Sequence, residues 1–159
     1  MPMRALEKEL GIEVRAVASA EACISEADVV VTITKSAVPV FHGEWLAEGT
    51  HVNVAGANSG DRREVDGETV LRSTVKVTDH REQAMLEAGE MRDLVAANRL
   101  KWSDVRELGE LVSGTAQGRK SASEITLFKS LGIALEDVAF GELVYQRALA
   151  AGVGKPMPV

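Results

Sequence analysis

Ala27-Asp28-Val29-Val30-Val31-Thr32-Ile33-Thr34 decides the fold of this 159-residue chain. Five consecutive β-branched residues, Val29 to Ile33, leave no polar face, as expected of a strand covered on both sides in a parallel sheet. Three more short runs of the same character flank it: Val14-Arg15-Ala16-Val17 before, and His51-Val52-Asn53-Val54 and Val75-Lys76-Val77-Thr78 after. Helix-type segments separate them. Ser19-Ala20-Glu21-Ala22 opens one with Ser19 as its N-cap, Glu44 to Ala47 makes a short one, and Asp66 to Leu71 a third. Strands alternating with helices imply βαβ units, and therefore an open α/β sheet.

Working outward, residues 1–10 read as a helix with Ala5, Leu6 and Leu10 on one side, but no strand precedes it. A right-handed crossover helix should connect two strands, so this one reads as a crossover whose first strand is left out. Beyond residue 80 the pattern turns helical. Arg81 to Ala97 reads as two helices, or one kinked at Gly89; Trp102 to Val105 is a helical turn leading into Glu107 to Val112; Ser113 to Arg119 is a loop. From Leu131 to Leu149, one stripe carries Leu131, Ala134, Val138, Gly141, Tyr145 and Leu149 and is expected to pack on this domain. Phe140, Leu143 and Val144 fall outside it, which calls for a second packing partner. The tail from Gly152 to Val159, with two Gly and two Pro residues, reads as irregular.

Composition bounds the function. Hydrophobic residues make up 45% and charged ones 26%, as in ordinary globular proteins, and the formal charge is −6 with the basic residues scattered. That lacks the basic footprint of a nucleic-acid or anionic-membrane binder. Cys23 is the one cysteine, which excludes an intrachain disulfide, fits a reducing compartment and reads as a small buried hydrophobe. No apolar run approaches the ~20 residues of a membrane span, and the first ten residues lack a signal-type apolar core, so a cytoplasmic address is expected.

His42, His51 and His80 show no ligand spacing and there is no Cys pair, so no metal site is expected. Gly114 to Ser121 matches a phosphate-binding P-loop poorly, because Ser113 stands where the leading Gly belongs and Arg119 where the Lys belongs. No Gly-x-Gly-x-x-Gly follows any of the strands. A Rossmann unit holds the dinucleotide pyrophosphate on such a turn. The fold expected is therefore a partial Rossmann-like parallel sheet lacking the Gly-rich first βαβ unit, followed by a helical carboxyl-terminal segment.

Three stretches carry a family resemblance. Ala27 to Thr34 with Pro39-Val40, Gly49 to Asn58 and Arg63-Glu64 form the first; Glu107 to Gly114 with Gly118-Arg119 the second; Glu124 to Asp137 the third and most specific. In that order they resemble the ornithine cyclodeaminase and mu-crystallin family over nearly the whole chain, in its carboxyl-terminal half. The resemblance implies a homo-oligomeric, two-domain protein about twice this length. Residues 1–120 would belong to the partial dinucleotide-binding domain, and 121–159 would return to a substrate and dimerisation domain shared between the two chain ends. It implies NAD or NADP as cofactor and a small amino or cyclic imino acid as substrate. Association with the absent amino-terminal half is the other arrangement that would complete the chain.

Residue roles follow where the motif matches. Thr32, Thr34 and Ser36 end a strand where open α/β sheets bind ligands, which suits contact with the nicotinamide half of a cofactor; a polar strand end with satisfied hydroxyls is the competing reading. Arg62, Lys129 and Ser130 occupy positions that the resemblance assigns to cofactor or substrate contact, while Arg62 can equally be a solvated charge and Lys129 the partner of an acid. Glu64, Glu136 and Asp137 read as architectural. In the Gly56-Ala57-Asn58 loop, the cyclodeaminase proper has Asp where this chain has Asn58, and Asn cannot take up a proton as a carboxylate does. Asn58, the residue assigned to the catalytic position, thus favours an amino acid dehydrogenase or a Δ1-pyrroline-2-carboxylate or ketimine reductase. The alternatives are the ornithine cyclodeaminase reaction, a non-catalytic NADP-binding carrier and an inactive remnant.

Overall fold

The computed structural model describes residues 3–155 and residue 157. Five strands form one all-parallel sheet: β1 (Val29–Thr32), β2 (His51–Val54), β3 (Val75–Thr78), β4 (Val105–Glu107) and β5 (Thr126–Lys129), in the order β1-β2-β5-β3-β4. The helices are α1 (Met3–Leu10), α2 (Ala20–Ile24), α3 (Gly67–Arg72), α4 (Arg81–Glu87), α5 (Gly89–Ala96), α6 (Leu108–Val112) and α7 (Ala134–Ala151). Short 3-10 turns lie at Gly43–Trp45 and Trp102–Asp104.

The period-2 pleat sorts the strands into two faces. Val30, Val52, Leu127 and Val105 line one, and all are buried with Met91 and Leu94 of α5 and Val70 of α3 in a single core. Burying a side chain of this type stabilises by about 1.5–3 kcal/mol. The other face is covered at β3, where Val75 and Val77 are buried, and open at β1, where Val29 is 56% and Val31 59% exposed. The continuous apolar run thus fits a strand meant for burial on both sides, but only one side of β1 is covered.

Several expectations are corrected. Val14 to Val17 is no strand: it joins no ladder, lies largely exposed to solvent, and its Val14 amide donates to Glu7 Oε1 at 3.1 Å instead of to a neighbouring strand. Cys23 is exposed rather than buried, because five-residue α2 covers β1 with Ile24 alone among its side chains. On α7 the stripe expected to pack on this domain is as open as the residues outside it. Leu131, just before the helix, is buried, but no residue of α7 itself is. Its apolar residues run all round, with Leu135, Val138, Phe140, Leu143, Val144, Tyr145 and Leu149 exposed, so no single face was marked for this sheet.

β4 and β5 are unforeseen, and Thr126–Lys129, assigned from sequence to the segment 121–159, lies at the centre of the sheet. Arg81 to Ala97 does divide in two around Ala88. Gly89 is needed there: a Cβ on it would lie 2.4 Å from the Arg62 carbonyl oxygen. Asp66 caps α3, accepting from the Thr69 amide at 2.8 Å, and also takes the Gly43 amide at 3.1 Å. The helix expected at residues 1–10 begins at Met3; residues 1, 2, 156, 158 and 159, at the two ends, lie outside the described residues. Among the described residues no helix is long and apolar enough to cross a membrane.

Candidate functional site

Open α/β sheets bind ligands at the carboxyl ends of their strands. Here three loops gather at that edge: Ile33 to Val38 after β1, Ala55 to Arg62 after β2 and Ser130 to Ile133 after β5. Each is held from within by a buried charge.

Glu64 ties the first two together. Its Oε1 accepts from the Thr34 amide at 2.5 Å, and its Oε2 accepts from the Gly56 and Ala57 amides at 2.6 and 3.0 Å. The side chain is fully buried. Burial pushes its carboxyl up, but the hydrogen bonds from Thr34, Gly56 and Ala57 outweigh that and hold it below the usual carboxylate range. Gly56 makes the approach possible, since a Cβ would stand 2.2 Å from the Thr34 nitrogen.

Asp79, just past β3, holds the third loop. Its Oδ2 accepts from the Leu131 and Gly132 amides at 2.7 and 2.8 Å and from the Ser130 hydroxyl at 3.3 Å. Gly132 has a positive φ of 75°, which only a residue without Cβ adopts freely.

Lys129 is the third anchor. Its ammonium donates to the Ala57 carbonyl and lies 3.2 Å from Glu90 Oε1, and both side chains are essentially inaccessible, at 0% and 1%. The Lys129–Glu90 contact is an ion pair by distance, without the alignment of a hydrogen bond. Burial pushes the Glu90 carboxyl above its usual range, with Lys129 pulling against it and Glu64 adding to the push.

The residues predicted from sequence fall at this edge, in unlike environments. Thr34 and Ser36 share the loop after β1, where the Ser36 amide donates to Thr34 Oγ1 at 3.2 Å and the Ser36 hydroxyl to the Val38 carbonyl at 2.6 Å. Thr32 is buried, and its hydroxyl has no partner among the described residues. Arg62 is exposed and reaches back to the Lys35 carbonyl at 3.0 Å, closing the first two loops on each other. Asn58 is exposed with no side-chain hydrogen bond among the described residues. Ser130 is half-buried, its hydroxyl on Asp79, and Lys129 lies beneath the loops rather than on their open side. Sequence reasoning missed Asp79 and Glu90 and took Glu64 as merely architectural. An acid directly after a parallel strand, as Asp79 is, was the available signal; nothing local marked Glu90, whose partner is 39 residues away. Among the described residues no cluster of three His, Cys, Asp or Glu side chains is placed to hold a metal.

The polar groups that this edge can offer a flat polar ring and its carboxamide are those of Thr34, Ser36 and Asn58; the Thr32 hydroxyl is buried, and the space beside Gly56 is filled by the Thr34 backbone and Glu64. A pyrophosphate has no matching glycine-rich helix start in this chain.

A model of the ornithine cyclodeaminase/mu-crystallin family matches residues 2–152. The chain belongs to this family. A Δ1-pyrroline-2-carboxylate reductase of Bacillus cereus is 34% identical over 151 residues, covering 94% of this chain and 46% of the relative. An alanine dehydrogenase of Archaeoglobus fulgidus is 41% identical over 131 residues, covering 82% and 40%. In three dimensions the chain is similar to Thermococcus litoralis Δ1-pyrroline-2-carboxylate reductase, solved in complex with NADH and L-proline. The TM-score is 0.91 at 37% identity, covering 98% of this chain and 48% of that one. The chain thus spans about half the length, or less, of the family members it matches.

Proposed function

We propose that this chain forms the nicotinamide-side and part of the substrate-side of an oxidoreductase that acts on a small amino or cyclic imino acid with NAD or NADP. One observation carries the reading: the loop locked by Glu64 and Lys129 presents a neutral Asn58, not a carboxylate, at the carboxyl edge of the sheet. Relatives whose names specify imine reduction and alanine oxidation support it.

When bound, the cofactor supplies a hydride donor or acceptor; the protein supplies orientation and electrostatics. Thr34, Ser36 and Ser130 would orient the carboxamide, and Arg62 would contact the cofactor or substrate. Asn58 would donate an N–H to the substrate while removing no proton. An Asp there would serve as a base, so a cyclodeaminase reaction is disfavoured.

β1 is an edge strand, paired with β2 alone among the described residues, and is where a Gly-rich half would add its strand, with a helix of that half covering the exposed face of Val29 and Val31. The sheet unit would then end near Ile133, and α7, exposed all round, would belong to a second domain or to an interface with another copy.

The test is reconstitution. The chain alone and the chain co-expressed with a family-type Gly-rich half are titrated with NADH and NADPH, followed by Trp45 and Trp102 fluorescence. Both are then assayed with Δ1-pyrroline-2-carboxylate and with alanine. Saturable binding and turnover by the pair are expected. Binding without turnover would make this a carrier, and ornithine cyclisation by the pair would overturn the role given to Asn58.

A further inference from the structure

We infer that the buried Lys129–Glu90 pair is a positioning device for the loop that presents Asn58. The inference rests on the reading that this loop faces the ligand, but its test does not require a ligand.

Lys129 ends β5, on the same face as Val54 of β2 and Thr78 of β3. From there its side chain passes beneath the neighbouring loop and donates to the Ala57 carbonyl. The loop is therefore gripped on both sides of one residue. Glu64 takes the amides of Gly56 and Ala57, and Lys129 takes the Ala57 carbonyl. Asn58 is next in the chain. With no side-chain hydrogen bond of its own among the described residues, it is aimed by the backbone alone.

Glu90 fixes the lysine in turn. It lies in the first turn of α5, whose start is pressed against the loop: a Cβ at Gly89 would meet the Arg62 oxygen at 2.4 Å and the Gly60 oxygen at 2.9 Å. One ion pair thereby links α5, β5 and the loop after β2.

A buried ion pair is weak evidence for stability, because a well-packed apolar pair in its place is often as stable or more so. Removing only one partner is costly, since it strands the other charge. Those two facts separate positioning from mere support. Lys129→Met strands Glu90, whereas Lys129→Met with Glu90→Leu leaves neither charge and also leaves the Ala57 carbonyl without its donor.

The experiment compares thermal unfolding and backbone ¹⁵N relaxation of wild type and both variants. The single variant is expected to lose Tm and the double variant to regain most of that loss. In the double variant the amide order parameters at Ala57 and Asn58 should nevertheless fall from about 0.85 towards 0.6, the range between rigid and flexible backbone. Unchanged order parameters there would refute positioning, whatever the Tm. Should neither variant fold, the wild-type protein decides: a slowly exchanging Lys129 ammonium with a scalar coupling to the Ala57 carbonyl carbon is expected, and its absence overturns the inference. Failure of cofactor to bind would count against the proposed function and leave these measurements intact.

Discussion

Replacing Glu64 with Gln tests the site at its tightest point. The wild-type carboxylate accepts three backbone amides: Thr34 on one oxygen, Gly56 and Ala57 on the other. A Gln oxygen can serve the Gly56 and Ala57 pair, but its NH₂ then faces the Thr34 amide, donor against donor. One charge-assisted bond worth about 1.5–3 kcal/mol is lost, and two more weaken from that range to the 0.5–1.5 kcal/mol of neutral bonds, roughly. Relief from burying a charge offsets part of this, leaving a net loss of about 3 kcal/mol. For a chain of this size that corresponds to a fall in Tm of roughly 6–12 °C.

The effect should depend on pH with a definite sign. Because the folded-state carboxyl is held below its usual range, its stabilisation is complete above the ordinary carboxylate pKa and is lost as pH falls through the lower folded value. At neutral pH the variant should be much the weaker protein. Near pH 3 the gap should narrow, since below the ordinary carboxylate range the unfolded Glu64 takes up a proton that the folded carboxylate resists. Urea midpoints at the two pH values, read by circular dichroism, measure this directly. A penalty below about 1 kcal/mol at neutral pH, or one equal at both pH values, would refute the role given to Glu64.

Two further outcomes follow. Gly89→Ala should destabilise by about 1–3 kcal/mol, since the new methyl meets backbone oxygens of residues 60 and 62 that cannot rotate away; a urea midpoint unchanged from wild type would show that α5 does not press on the loop. Phe140→Lys with Leu143→Lys should leave the midpoint of this chain within about 0.5 kcal/mol of wild type, because Phe140 is 68% and Leu143 45% exposed and no residue of α7 is buried. A loss above 1 kcal/mol, roughly twice that band, would mean that α7 is packed down on the sheet.

Much of the sheet was legible in local sequence. The runs at β1, β2 and β3 and the cap at Ser19 stand where their residue types imply, because β-branched density and N-capping act over a few neighbours. β4 and β5 were not, since strands of three and four residues carry too little periodicity to stand out. Val14 to Val17 failed for the opposite reason: its propensity is right, but a strand exists only where a neighbour completes its ladder. At the candidate site, strand-end position and the family resemblance single out Thr32, Thr34, Ser36, Asn58, Arg62, Lys129 and Ser130 as candidates, whereas Asp79 and Glu90 became visible only once strands distant in sequence were set side by side.

By itself, the sequence determined an α/β chain with parallel strands, a neutral Asn at position 58, and no Gly-x-Gly-x-x-Gly turn after any of its strands. These are properties of composition, short-range pattern and single side chains. Only the tertiary structure decided which loops meet, that Glu64, Asp79 and Lys129 hold them from beneath, and that β1 and α7 keep apolar surface open. Charge burial and sheet order arise from contacts between residues far apart in the chain, so no local window contains them.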